Sequence, residues 1–156
     1  IKKSAGTGEA GTIDIGLVGE VASVDPDILG SLQRDGFIPV ISPIGAGDSG
    51  KAYNINADYV ASAIASALKA EKLILLTDVP GIKDKKGKVI STIEKKRVKR
   101  YIDDGTVSGG MLPKVQACTR ALDGEVKKTH IIDGRVPHCL LLEIFTKEGI
   151  GTEIVG

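Results

Sequence analysis

Three short polar runs in this 156-residue chain carry the residue types that could do chemistry. The first is Tyr53-Asn54-Ile55-Asn56-Ala57-Asp58, at the start of an otherwise apolar segment from Ala57 to Leu68. In a helix already begun at Asn54, Asn54 and Asp58 share a face. In one begun near Asn56, both converge on the positive end of the helix. An amide and a carboxylate there could hold a ligand or orient other polar groups, and the same residue types are ordinary helix caps. The second run is Gly109-Gly110-Met111-Leu112-Pro113-Lys114. Two glycines before a helix leave backbone N–H groups open to an anion. Lys114 in the first turn opposes the helix macrodipole, at a cost of about 0.3 kcal/mol or more, which a phosphate would offset. The third is Thr77-Asp78, at the C-terminal end of the apolar run Lys72-Leu73-Ile74-Leu75-Leu76, where ligands of open α/β sheets bind. Asp78 could equally make the turn.

A fourth run imitates a phosphate cradle. Gly45-Ala46-Gly47-Asp48-Ser49-Gly50-Lys51-Ala52 places its glycines and lysine as a P-loop does. The final position needs a Ser or Thr hydroxyl for magnesium and holds Ala52; Asp48 would add negative charge to the cradle. The run reads as a flexible polar loop.

Composition bounds the rest. The length suits one domain with a real core, and 42% apolar with 26% charged residues are globular values. A net charge of +1 offers no field for nucleic acid or membrane, and 3% aromatics without Trp argue against stacking on bases. No apolar run reaches membrane-span length, and no signal peptide is expected at the start. Cys118 and Cys139 lack metal-binding spacing and read as packing residues, so a reducing, cytoplasmic setting is expected. His130 reads as structural. The chain opens on Ile1 rather than Met, as a fragment or processed chain would.

These runs need elements to carry them. Residues 1–12 read as a flexible entry, and Thr12 to Val21 as a twisted strand or hairpin. Asp25 caps a short helix with Pro26 at its first position, ending by Gly36. Phe37 to Ser42 is a brief strand irregular at Pro39. A helix spans about Asn56 to Lys69, and Lys72 to Thr77 is a strand buried on both faces. Lys83 to Ile90 forms a hairpin. A basic helix follows Ser91-Thr92, with Ser91 and Glu94 as a capping box, and ends at Gly105. A helix from Met111 to Leu122, a strand from Thr129 into the turn at Gly134, a helix from Pro137 to Phe145 and a strand from Gly151 to Val155 complete the chain. Alternating strands and helices predict an α/β fold with a largely parallel sheet.

Asn54-Ile55-Asn56-Ala57-Asp58, then Leu75-Leu76-Thr77-Asp78-Val79-Pro80-Gly81-Ile82, then Gly109 to Lys114 resemble, in that order, the amino acid kinase superfamily. Within it the resemblance is closest to the acetylglutamate kinase family. Ile15 to Val21 is similar to the segment before that family's middle helix. The ending His138 to Thr146 with Gly149-Ile150-Gly151-Thr152 is similar to its C-terminus. The likeness covers essentially the whole chain.

That resemblance implies a three-layer α/β/α sandwich of the carbamate kinase-like fold. Residues 1–71 would belong to the acyl-substrate lobe and 72–156 to the nucleotide lobe. It implies ATP-dependent phosphorylation of the side-chain carboxylate of N-acetyl-L-glutamate, in arginine biosynthesis, with ATP and Mg2+ as cofactors. Lys114 would stabilise the transferring phosphoryl group and Asp58 would orient the catalytic lysines. Asn54 would bind the acetylglutamate. Thr77 and Asp78 would lie against the nucleotide, flanked by the Lys83 to Lys88 hairpin. His138, Glu143, Gly149 and Gly151 would form an arginine site for feedback inhibition. A homo-oligomer and a PII signal protein as partner follow from the same resemblance, with no nucleic acid and no membrane.

The chemistry suits those roles, because phosphoryl transfer asks the protein mainly to position groups and neutralise spreading charge. A lysine is a compact charge on a flexible stem, and a carboxylate beside it keeps it charged and fixes its direction. Magnesium would bridge the nucleotide phosphates without a protein carboxylate cage. The family's early glycine-flanked lysine, substrate-binding glycine pair and α-carboxylate arginine have no equivalents here. The expectation is therefore the latter part of such an enzyme, inactive by itself. Two other readings stay open: a glutamate, aspartate, carbamate or uridylate kinase, or a non-catalytic nucleotide- or arginine-binding module.

Overall fold

The computed structural model describes residues 16–146 and 149–156. The expected entry segment and the first part of the Thr12 to Val21 strand lie outside the described residues; from that run Val18 bridges to Asn54.

Two sheets organise the chain. β1 (Ile44–Ala46) and β2 (Ala52–Asn54) form an antiparallel hairpin in which Gly45 faces Tyr53. β3 (Lys72–Thr77), β4 (Thr92–Glu94), β5 (Lys128–Asp133) and β6 (Thr152–Val155) form a four-stranded sheet in the order β3-β5-β6-β4. β3 runs parallel to β5 and β4 parallel to β6, while β5 and β6 are antiparallel. The helices are α1 (Asp27–Arg34), α2 (Ala57–Ala67), α3 (Lys95–Asp103), α4 (Met111–Asp123) and α5 (Cys139–Phe145).

The burial of β5 explains the layering. All of its residues after Lys128 are buried, as a strand covered on both faces must be. Successive side chains point to opposite faces. Ile131 joins the core with Val115, Ala117, Cys118 and Ala121 of α4, whose small side chains allow close approach. His130, one residue before, meets Glu143 of α5 on the other side. The result is the expected α/β/α sandwich. α2 and α3 pack on α4, and α2 also meets β3.

Several local expectations hold at the level of single bonds. Asp25 Oδ1 accepts from Asp27 N at 3.0 Å at the entry to α1, although Pro26 (φ −81°, ψ −10°) rather than Asp25 occupies the cap position. Asn56 caps α2, its Oδ1 accepting from the N–H of Asp58 at 2.9 Å and of Tyr59 at 3.4 Å. The 83–90 hairpin forms around Asp84, whose Oδ1 accepts from Lys86 N and Lys88 N.

Three do not hold. Phe37 to Ser42 pairs with no strand among the described residues, and Ile38 and Val40 stand 90% and 96% exposed. Pro39 has no N–H for a ladder. The glycine run is the turned end of the β1–β2 hairpin rather than a free loop, closed by Gly47 N to Lys51 O at 2.9 Å. The Ser91–Glu94 capping box is absent: Thr92 to Glu94 is β4, because extended backbone buries Ile93 to 2% beside Ile154. α3 then starts at Lys95 without a side-chain cap bond.

Candidate active site

Asn54, Asp58 and Lys114 come from three different elements. Asn54 is the last residue of β2, not part of the helix. Its N–H donates to Leu17 O at 2.8 Å and its carbonyl accepts from Gly19 N at 3.0 Å. The backbone is thus held from the neighbouring chain, while the side chain is exposed and makes no hydrogen bond among the described residues. Ile55 turns inward, 6% exposed, against Gly45, where a Cβ would stand 2.7 Å from Ile55 Cδ1. Asn56 then opens α2, and Asp58 sits in its first turn.

Lys114 lies in the first turn of α4, where Pro113 loses no helical hydrogen bond. Gly109 (φ +54°) makes the entry turn, and no atom lies within 4 Å of a Cβ at Gly109 or Gly110, so the approach to this helix end is open. Lys114 Nζ reaches both oxygens of Asp58, at 3.1 and 3.2 Å. The two side chains are 21% and 19% exposed. Asp58 therefore offsets the unfavourable dipole of α4 at Lys114, the task expected of a phosphate. A half-buried, doubly hydrogen-bonded ion pair of this kind contributes about 1–3 kcal/mol. It also leaves the third of the three ammonium donors for a further anion.

Thr77 and Asp78 stand at the carboxyl edge of the sheet. Thr77 Oγ1 lies 3.3 Å from Asp78 Oδ1, and Thr77 O accepts from Gly134 N at 2.8 Å. The parallel register sets Thr77 beside Asp133. Arg135 grips Asp133 bidentately, Nε to Oδ1 at 2.9 Å and Nη2 to Oδ2 at 2.8 Å. The Arg135 guanidinium holds the Asp133 carboxyl down at about 2. Asp133 and Arg135 were not singled out from sequence. The Asp-Gly-Arg run after an apolar strand is a visible signal, but its place beside Thr77 depends on strand pairing.

The C-terminal residues line a second concavity, a cavity of about 290 Å³. Glu143, Gly149 and Gly151 line it; His138 does not. His138 is exposed and left-handed (φ +58°), just before α5. The histidine in the cavity is His130, read from sequence as structural. His130 Nδ1 lies 2.7 Å from Glu143 Oε1 and Nε2 lies 3.9 Å from Glu153 Oε1. Neither ring nitrogen has a well-directed hydrogen bond despite that closeness. Burial pushes the imidazole below its ordinary value, against the opposite pull of Glu143 and Glu153. Glu143 Oε2 accepts from Ile150 N at 2.9 Å.

Cys118 is fully buried and its thiol is pushed up to about 11, which makes it an unreactive packing residue. Among the described residues no group of three or more His, Cys, Asp or Glu side chains converges to hold a metal, and no helix is long and apolar enough to cross a membrane.

This arrangement has known relatives. The acetylglutamate kinase of Geotalea uraniireducens (strain Rf4) is 59% identical over 156 residues, 100% of this chain and 53% of that protein. That of Persephonella marina (strain DSM 14350 / EX-H1) is 59% identical over 143 residues, 92% of this chain and 48% of that protein. The chain thus spans about half the length of the curated relatives it matches. Among solved structures, N-acetylglutamate synthase from Neisseria gonorrhoeae, complexed with coenzyme A and L-arginine, superposes with a TM-score of 0.85 at 28% identity, covering 95% of this chain and 34% of that one. Carbamate kinase from Giardia lamblia bound to AMP-PNP shares the fold, with a TM-score of 0.56 at 23% identity over 72% of this chain and 36% of that one. The sequence profile of the amino acid kinase family matches residues 1–133, and the chain belongs to that family.

Proposed function

We propose that this chain belongs to an acetylglutamate kinase, which transfers the γ-phosphoryl group of ATP to the side-chain carboxylate of N-acetyl-L-glutamate. The observation that carries this reading is the Lys114–Asp58 contact, which joins the starts of two helices 56 residues apart. It supports a phosphoryl site because the ammonium is aimed, charged and still able to donate.

In the reaction a carboxylate oxygen of the substrate attacks the γ-phosphorus. The bond from that phosphorus to the bridging oxygen of the β-phosphate breaks, and ADP leaves with the electron pair. The products are an acyl phosphate and ADP. Charge spreads over the equatorial oxygens in transit, and Lys114 neutralises it. Asp58 acts through Lys114, fixing its direction with two hydrogen bonds. The exposed Asn54 amide can donate to a substrate oxygen and accept from an N-acetyl N–H. Thr77, Asp78 and Gly134 offer polar groups to the nucleotide at the strand ends. Magnesium would enter on the nucleotide phosphates and neutralise charge there. Residues 1–71 would serve the acyl-substrate lobe and 72–156 the nucleotide lobe.

Arginine control is part of the same reading. The carboxylates of Glu143 and Glu153 suit a guanidinium, and Lys72 and Lys128 at the same cavity suit an α-carboxylate. The arginine-bound synthase of similar fold supports this. Within this site His130 replaces His138 as the histidine. A homo-oligomer and a PII signal protein as partner rest on the family resemblance.

The test is turnover by the full-length protein on a panel of acceptors. Acetylglutamate-dependent ADP formation supports the reading. Activity on glutamate, aspartate, carbamate or uridylate instead would replace the substrate and keep the phosphoryl site.

A further inference from the structure

The seam between α2 and α4 is fastened on both flanks. On α4, Val115 is fully buried, and Lys114 and Gln116 project about 100° to either side of it. On α2, Asp58 and Tyr59 lie one turn before the buried Ser62. Asp58 takes Lys114 on one flank. On the other, Tyr59 Oη donates to Gln116 Oε1 at 2.8 Å. One turn further, the Arg120 guanidinium carbon sits 4.4 Å from the centroid of the same ring. Gln116 and Arg120, four apart on one helix face, thus grip Tyr59 at its hydroxyl and its ring. At the far end Gly124 lies so close to Ser66 of α2 that a Cβ would stand 2.4 Å from Ser66 Cβ, so the helices cannot separate there without loss of packing.

Core packing through small side chains holds α4 against the sheet, and a contact on each flank adds directional restraint on its roll about its axis. A roll of about 10° moves a side-chain end about 1 Å at a radius of about 6 Å. A displacement of about 1 Å is enough to cost much of a rate when the group must meet a transition state. We propose that Tyr59, held by Gln116 and Arg120, is a positioning residue that fixes the roll of α4 and so the direction of the Lys114 ammonium. Tyr59 touches no reacting atom; it acts through Lys114. The rate consequence rests on the kinase reading, whereas the geometric one does not.

Two readouts on the full-length protein separate these. The first is the acylation rate of the Lys114 amine under competitive labelling with acetic anhydride, read by mass spectrometry. Tyr59→Phe and Gln116→Leu are expected to raise it about five- to tenfold as Nζ leaves Asp58, and Gln116→Glu, which keeps an acceptor for the tyrosine hydroxyl, to leave it near wild type. Unchanged labelling in Tyr59→Phe overturns the proposal whatever the acceptor proves to be. The second is kinetic. Tyr59→Phe is expected to lower kcat about tenfold with KM for ATP unchanged, and to have no further effect in a Lys114→Ala background. A loss of the same factor in both backgrounds overturns it too. If the wild type phosphorylates a different acceptor, the acetylglutamate reading fails and the same cycle is measured on that acceptor.

Discussion

The Asp58–Lys114 site and the His130–Glu143 cavity are both built from charged side chains, but they hold charge in opposite ways. At the first, two opposite charges meet at ordinary hydrogen-bond distances near the surface, with both carboxylate oxygens engaged. At the second, an imidazole and a carboxylate are nearly fully buried, 4% and 6% exposed, and close without a well-directed bond between them. The first pair is complete and needs a ligand only for work. In the second, Glu143 is tied to Ile150 N through Oε2, while the imidazole beside it at the cavity wall can take further hydrogen bonds from whatever enters. A satisfied pair suits catalysis, where groups must be preorganised. A buried pair lining a cavity suits a switch, where binding must change the balance.

The sharpest way to break this contrast is at the satisfied pair. Lys114→Ala in the full-length protein should lower kcat about 10²–10³-fold, the range for loss of one transition-state charge donor, with little change in KM for ATP. Steady-state kinetics reads both, and normal turnover would remove Lys114 from the chemistry. Next comes the wall of the His130–Glu143 cavity. A Cβ at Gly151 (φ +80°) would lie 2.3 Å from Ile131 O, so Gly151→Ala should cost about 2–4 kcal/mol by denaturant titration. Glu143→Gln should weaken arginine inhibition about tenfold or more while kcat stays within about twofold, since it removes one charge-assisted guanidinium contact. Unaltered inhibition would sever Glu143 from regulation.

The smallest effect is on the pH dependence of stability. Burial depresses the His130 pKa below its ordinary 6.5, with Lys72 and Lys128 adding to burial and Glu143 and Glu153 opposing it. The unfolded chain then binds the proton more readily than the folded one, so stability rises with pH up to about 6.5 and this group adds no slope above it. His130→Asn should flatten that window in thermal melts taken from pH 5 to 8. Asp133 has the other sign of charge and the same slope at lower pH: its stabilisation is present above 3.8 and is lost as pH falls through about 2.

Elements with local signals were legible from sequence, and contacts between elements were not. α2 and α4 announce themselves through Asn56, Gly110 and a following apolar stripe, β3 through the apolar run Leu73 to Leu76, and β5 through the β-branched Thr129, Ile131 and Ile132 before the turn at Gly134. The capping of α2 by Asn56 was a local fact and could be read. That Lys114 and Asp58 should work together came from the family resemblance; no periodicity links residues 56 positions apart. Asp133 and Arg135 escaped notice because their place depends on the parallel register of β3 and β5. His130 looked structural because both of its acidic neighbours arrive from distant elements. Where local signals failed, tertiary burial decided. The Ser91–Glu94 box yielded to the gain from burying Ile93, and the apolar Phe37 to Ser42 run found no ladder among the described residues.

The central claim is that Asp58 works through Lys114 in phosphoryl transfer. Single-turnover rates for the full-length wild type, Asp58→Asn, Lys114→Ala and the double variant test it directly. The account predicts that both single variants lose activity and that the double variant is no slower than Lys114→Ala alone. Losses that multiply in the double variant would mean that the two residues act independently, and would contradict it.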